Sequence, residues 1–367
     1  MKQQRPKADS GFEAEREAKM DKQAFGRTQD GHAVDLYTLR NRNGMEAAIT
    51  NYGGAVVSLL VPDRAGKLAD VVLGYDTLAG YEGDKAYLGA IIGRFANRIA
   101  QGKFTLQGVT YTMPRNNGDN SLHGGIAGFN KRLWSAKELS SQALELSYLS
   151  KDGEEGYPGN LSAKVAYTLS EANELRMDYS ATTDKNTIVN LTNHSYFNLA
   201  GQGEGDILAH EVTIHAGYFT PVNANLIPTG EIRSVRGTPL DFTQAASIGS
   251  RINSADEQLR MAGGYDHNWI PDREGDRELV LAAEVCERSS GRVLQVLTTQ
   301  PGIQFYSGNF LDGNIRGKQG KTYHRRGAFC LETQHYPDSP NHANFPSTEL
   351  QAGQQYREAS VFKFSVR

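Results

Sequence analysis

Two side chains in this sequence are of types that can give and take protons near neutral pH. His194 stands inside VNLTNHSYFNLAG, from Val189 to Gly201, and Glu332 stands inside FCLETQ, from Phe329 to Gln334. Imidazole is the side chain best poised to act as an acid near pH 7, and a glutamate is ionised there, its reference pKa being about 4.3. Together they could supply a general acid and a general base with neither a metal nor a redox cofactor. The segment around His194 reads as a strand crowded with amides and hydroxyls, each needing a hydrogen-bond partner once it leaves water. The two-residue side-chain period puts Val189, Leu191 and Phe197 on one face and Ile188, Asn190, Thr192, His194 and Tyr196 on the other. The first face is expected to be core. The second is expected to meet a polar ligand.

Other segments carry the same division. Phe329 and Leu331 point one way in FCLETQ, with Cys330, Glu332 and Gln334 opposite; Ile303 and Phe305 alternate with Gln304 and Tyr306 in PGIQFY. In GYDHNW, Asp266 and Asn268 share a face opposite His267 and Trp269. Taken singly, a polar strand face is most often just wetted by solvent. If these strands are neighbours, their carboxylates, amides and imidazole converge.

The elements that must position these groups are strands. LSAKVAYTLS alternates on Leu161, Ala163, Val165, Tyr167 and Leu169; ELRMDYSATT on Leu175, Met177, Tyr179 and Ala181; ALELSY on Leu144, Leu146 and Tyr148. Turn clusters such as KDGEEGYPGN separate them, and 39 glycines suit many tight turns. Helical signals are confined to TLAGYEGD and a stretch around Ser250–Met261. Without regular strand–helix alternation, the expected fold is all-β, a large antiparallel sandwich. Residues 25–367 read as one such domain, preceded by a charged extension, residues 1–24, read as disordered.

Composition narrows the function. A net charge of −3 with no basic stripe argues against nucleic acid as a partner, and no apolar run approaches a membrane span. The charged start has no apolar h-region, so a cytoplasmic location is expected, a periplasmic one staying open if a signal once stood upstream. Two cysteines, Cys286 and Cys330, are too few for a disulfide scaffold and read as free thiols. His210, His215, His267, His324, His335 and His342 lack zinc-site spacing, and HExxH is absent. No metal site is expected; a structural calcium stays open, though no motif indicates one. Trp134 and Trp269 read as packing residues and Asp338, in YPDSPNH, as a turn residue.

TNHSYFNLAG, IGRFANRIAQGKF, NSLHGG, YDHNW, PGIQFYSGNF and FCLETQHYPDSPNH, in this order from about Asn51 onward, together resemble the aldose 1-epimerase family. The resemblance implies a β-sandwich with an open cleft on its concave face. It implies an isomerase that interconverts the α and β anomers of free aldohexoses such as glucose and galactose. A monomer or weak dimer is expected, the sequence itself leaving the oligomeric state open. The family's acid matches His194 and its base matches Glu332. Its substrate-binding positions match Asn97 and Arg98 in FANRI, His123 in SLHGG, Asp266 in GYDHNW and Gln304 in PGIQFY. Sugar hydroxyls both donate and accept, so Asp266 would accept, Arg98 would donate, and Asn97 and Gln304 can do either. Gly124 and Gly125 would let the backbone approach a ligand. A carboxylate near His194 would raise its pKa, and Asp266 is the candidate.

Three other readings compete. A β-sandwich glycoside hydrolase would use Glu332 and Asp266 as its carboxylate pair. A non-catalytic carbohydrate-binding module would have no need of both an imidazole and a carboxylate. A hexose 6-phosphate epimerase would require a basic cluster beyond Arg98.

Overall fold

A computed structural model describes Met20–Arg367. The segments with the clearest alternation lie side by side. Ala143–Ser150, Leu161–Leu169 and Glu174–Thr183 are neighbours in a nine-stranded antiparallel sheet, which continues through the C-terminal strand Gln355–Val366 to Arg292–Thr298 and Val280–Cys286. Leu161, Ala163, Val165, Tyr167 and Leu169 are all fully buried on its inner face. A six-stranded sheet supplies the opposing layer, with Phe329–Gln334, Gly302–Tyr306 and Asp266–Ile270 as consecutive neighbours. Phe329, Leu331, Ile303, Phe305 and Trp269 point inward from it and join Leu146, Val165 and Phe362 in one apolar cluster. A five-stranded sheet, running in chain order from Asp21–Arg27 to Leu68–Asp70, adds Leu39, Ile49 and Leu59 to the same cluster. These are the two facing sheets of an all-β sandwich. The α-helices among the described residues are Leu78–Gly83 and Glu257–Ala262, six residues each, where the helical signals fell. Neither is long or apolar enough to cross a membrane.

Two expectations need correction. Most of the charged extension, residues 1–19, lies outside the described residues, but residues 21–24 belong to the strand Asp21–Arg27, paired with Ala33–Arg40. This edge strand is almost wholly exposed, so it lacks the apolar alternation that would mark it. The segment Val189–Gly201 is also no continuous strand. Thr192–Asn193 and Tyr196–Phe197 within it, and Thr187–Ile188 just before it, are separate two-residue strands in three different sheets, and all their residues are buried. Its asparagines tie these pieces down. Asn190 donates to the carbonyls of Ala96 and His335 and accepts from the His335 N–H; Asn193 donates to Gly89 O at 2.9 Å; Asn198 donates to Gly327 O at 3.0 Å. They are struts, which is how so polar a segment is buried at tolerable cost.

Trp134 and Trp269 are 1% and 0% exposed, and both are packing residues. Asp338 takes a left-handed turn conformation, φ 58°, and accepts from the Ala100 N–H. Cys286 and Cys330 are free.

Candidate active site

The six-stranded sheet's second face is polar because of its register. Asn268 pairs with Gln304, Gln304 with Glu332, and Asp266 with Tyr306, so side chains from three neighbouring strands stand on one surface. Gln304 Nε2 donates to Asp266 Oδ1 at 2.7 Å, and Gln334 Nε2 to Gln304 Oε1 at 3.4 Å. His194 enters from the adjoining turn. Its N–H donates to Ala90 O and its carbonyl accepts from the Gly89 N–H, both near 3 Å. Its Nε2 lies 3.7 Å from Glu332 Oε1 at the floor of a cleft of about 550 Å³.

The wall opposite is built from FANRI and SLHGG, which pair as the short strands Arg98–Ile99 and Ser121–Leu122. Asn97 and His123 clamp each other: the His123 N–H donates to Asn97 O, and the Asn97 N–H donates to His123 Nδ1 at 3.1 Å. Both have left-handed backbones, φ 64° and 51°, strain of the kind that gathers at functional sites. Arg98 lies 4.0 Å from Asp266 Oδ2 and is oriented by Asn117 Oδ1, 3.0 Å from its Nε. Gly124 and Gly125 serve packing rather than a ligand. A Cβ on Gly124 would strike the Gly93 carbonyl, and one on Gly125 the Glu155 carboxylate.

All seven predicted residues are within 8% of full burial: Asn97, Arg98, His123, His194, Asp266, Gln304 and Glu332. All but Gln304 line the cleft itself; Gln304 stands behind and holds Asp266. The sequence reading passed over the aromatic walls. Tyr87 and Tyr196 both stack on His194, nearly parallel to its ring at 5.9 and 5.0 Å, and Tyr87 also meets His123 edge-on at 4.7 Å. Tyr87 has the same left-handed backbone, φ 62°, but sits in a stretch with no periodic signal. Tyr196 had been placed on the face of His194, though not given a role.

Burial dominates the electrostatics. It pushes His194 down to about 4 and Glu332 well above the usual carboxylate range, with Asp266 adding to the latter and Arg98 opposing it. Burial also raises Asp266, against the pull of Arg98 and Gln304. The carboxylate that faces His194 is therefore Glu332 and not Asp266, which is engaged by Arg98 and Gln304. The neutral pair, imidazole with carboxylic acid, carries the same proton count as imidazolium with carboxylate. Desolvation favours the neutral one. Glu332 lines the cleft, and its Oε2 is buried with no protein partner.

His123, His194 and Glu332 each bring a donor atom within 4.8 Å of the others, close enough to share an ion. The ring of His123 argues against that use. Its Nδ1 accepts an amide hydrogen, so the neutral ring carries its proton on Nε2, and neither nitrogen has a free lone pair. His123 is instead a fixed Nε2–H donor, and burial keeps it neutral.

Comparison with known proteins agrees with this architecture. A family model described as aldose 1-epimerase matches residues 35–363. Galactose mutarotase of Bos taurus is 50% identical over 333 residues, covering 91% of this chain and 94% of its own, and aldose 1-epimerase of Escherichia coli K12 is 39% identical over 338 residues, covering 91% and 96%. Among solved structures, an aldose epimerase homologue from C. elegans superposes with a TM-score of 0.84 at 30% identity, covering 91% of this chain and 99% of its own. On this evidence the chain belongs to the aldose 1-epimerase family.

Proposed function

We propose that this protein interconverts the α and β anomers of free aldohexoses, with D-galactose and D-glucose as substrates, Glu332 acting as base and His194 as acid. The observation that carries this reading is the approach of His194 Nε2 to Glu332 Oε1, 3.7 Å apart on the buried floor of a cleft that Asn97, Arg98, His123 and Asp266 also line. Anomer exchange needs a base on the C1 hydroxyl and an acid on the ring oxygen, with their roles reversed on closure. Glu332 takes the hydroxyl proton, the C1–O5 bond breaks as C1=O forms, and His194 delivers its Nε2 proton to O5. Rotation about C1–C2 presents the other carbonyl face, and the same two protons return. Ring opening thus converts imidazolium and carboxylate into the neutral pair, the arrangement burial favours. Binding sugar over the two groups, with its C1 hydroxyl against Glu332 and its ring oxygen against His194, and excluding water strengthens both proton transfers.

Arg98, His123 and Asn97 supply donors, and Asp266 supplies an acceptor, for the ring hydroxyls. Asp266 is tied to Arg98 and Gln304, which suits it to binding rather than to the acid or nucleophile role of a glycosidase. The chemistry requires no cofactor.

The test is the rate at which freshly dissolved α-D-galactose and α-D-glucose reach anomeric equilibrium, followed by polarimetry, for wild type and Glu332→Gln. Acceleration lost in the variant is the expected result. A folded wild type that accelerates neither sugar overturns the reading, and acceleration that survives the substitution assigns the base elsewhere.

A further inference from the structure

His194 is held in an unusual way. Glu332 Oε1 approaches its Nε2 at 3.7 Å, beyond hydrogen-bond reach, and the ring's side-chain hydrogen-bond partner among the described residues is the thiol of Cys330, whose Sγ lies 3.5 Å from Nδ1. The stacked rings of Tyr87 and Tyr196 fix the plane of the imidazole, and His123 abuts its edge at 5.0 Å. Stacking does not decide which way the ring is turned within that plane. A half-turn about the Cβ–Cγ bond would leave both stacks intact while carrying Nε2 away from Glu332. Only an edge contact that tells a nitrogen from a carbon prevents it.

We propose that Cys330 is a positioning residue for the acid: its sulfur receives the Nδ1–H and so keeps Nε2 facing Glu332 and the sugar's ring oxygen. Cys330 is fully buried among Tyr196, Tyr306, Leu73 and Leu88, and it pairs with Tyr196 across the strand boundary, so its sulfur has little freedom to move. Burial also keeps it a neutral thiol, with Glu332 and Asp266 acting in the same direction. A thiol is a weak acceptor and a weak donor. It therefore orients the ring without stabilising imidazolium as a carboxylate would, and leaves the proton easy to give up. The charged and titratable groups around the ring are Glu332 on one edge, His123 on another, the two tyrosines on its faces, and Arg98 and Asp266 beyond Glu332.

This inference rests on the roles given above to His194 and Glu332. Its test is mutarotation kinetics across pH for wild type, Cys330→Ala, Cys330→Ser and Glu332→Gln, with thermal melts as a check on folding. Cys330→Ala is expected to lower kcat by about tenfold to a hundredfold with KM little changed, the scale of a misplaced catalytic group. Because hydrogen bonding to the charged form raises a basic group's pKa, losing the acceptor should also move the acidic limb of the profile to lower pH. Cys330→Ser should recover much of kcat and return that limb toward or above its original position. A folded Cys330→Ala enzyme with wild-type kcat and wild-type pH limbs overturns the proposal. So does a change in KM alone, which would make Cys330 a lining residue only. Should Glu332→Gln prove fully active, the fault lies with the parent reading. Loss in Glu332→Gln alongside an unaltered Cys330→Ala refutes only the role of Cys330.

Discussion

Along Leu161–Leu169 in the nine-stranded sheet, buried residues alternate with residues that touch solvent, whereas every residue of Phe329–Gln334 in the six-stranded sheet is buried. Both strands obey the same two-residue period, and both lend one face to the same core. The difference is in what covers the other face. Lys164 and Arg176 on the nine-stranded sheet stand in water. Glu332, Gln334 and Asn268 on the six-stranded sheet lie at or beneath a cleft, out of bulk solvent. Yet Glu332 Oε2, Gln334 Oε1 and both amide ends of Asn268 have no protein partner. A buried unpaired polar group costs about 1–3 kcal/mol. One sheet therefore spends its alternation on stability. The other gives some stability up, holding unpaired polar groups at and behind the cleft.

The largest effects should come from Glu332→Gln. Loss of the base is expected to reduce kcat by on the order of 10³. Stability should move the other way. The folded pKa of Glu332 is raised, so any stabilisation linked to its proton is complete below the unfolded pKa of about 4.5 and is lost as pH rises through the folded value. Glutamine carries no such proton. The variant should melt with wild type at pH 4 and above it at pH 8. A variant less stable than wild type at pH 8 would mean that the folded protein satisfies the carboxylate, and the contrast between the sheets would break.

Leu146→Ala should give the mirror image. Leu146 is fully buried on the inner face of the nine-stranded sheet. Removing its branched end is expected to cost about 2–5 kcal/mol in chemical denaturation. At a temperature where the variant remains folded, kcat should equal that of wild type. A large loss of kcat there would mean that the dry layer also tunes the site.

Asp266→Asn sharpens the comparison within the polar face. Asp266 raises the proton affinity of Glu332, so removing its charge should lower that affinity. The basic limb of the activity profile, which belongs to the His194–Glu332 pair as a unit, is expected to move to lower pH. KM should rise as well, because Asp266 lines the cleft. A rise in KM with an unmoved limb would separate binding from the electrostatic effect.

The sequence made the inner faces legible because apolar side chains repeat every second residue, as at Leu161, Ala163 and Val165. It also placed Glu332, Gln304 and Asp266 on one side of their strands, and the observed register sets them side by side. The segment of His194 was harder. Its residues look like alternation, but hydrogen bonds from Asn190, Asn193 and Asn198 to distant carbonyls tie down short separate strands instead of one. Such bonds join positions about a hundred residues apart and leave no local trace. Tyr87 escaped notice for a related reason. It reaches the site from an irregular turn, through the Gly89 contact with His194, and no period marks a turn.

The smallest effect should come from Arg176→Ala on the outer face of the nine-stranded sheet. Arg176 makes a two-pronged contact with Asp178, at 2.8 and 2.6 Å, which is better geometry than the 4.0 Å approach of Arg98 to Asp266. Geometry alone would rank the outer pair higher. Both outer side chains are more than 40% exposed, however, so water and salt screen the attraction and the net contribution is about 0–1 kcal/mol. The inner arginine is 8% exposed and acts on a buried carboxylate that itself influences Glu332. Arg176→Ala should therefore shift the denaturation midpoint only slightly, lose even that shift in high salt, and leave mutarotation untouched. A shift of several kcal/mol would show that burial does not rank the two sheets. Short distance would then be the better guide to which ion pair matters.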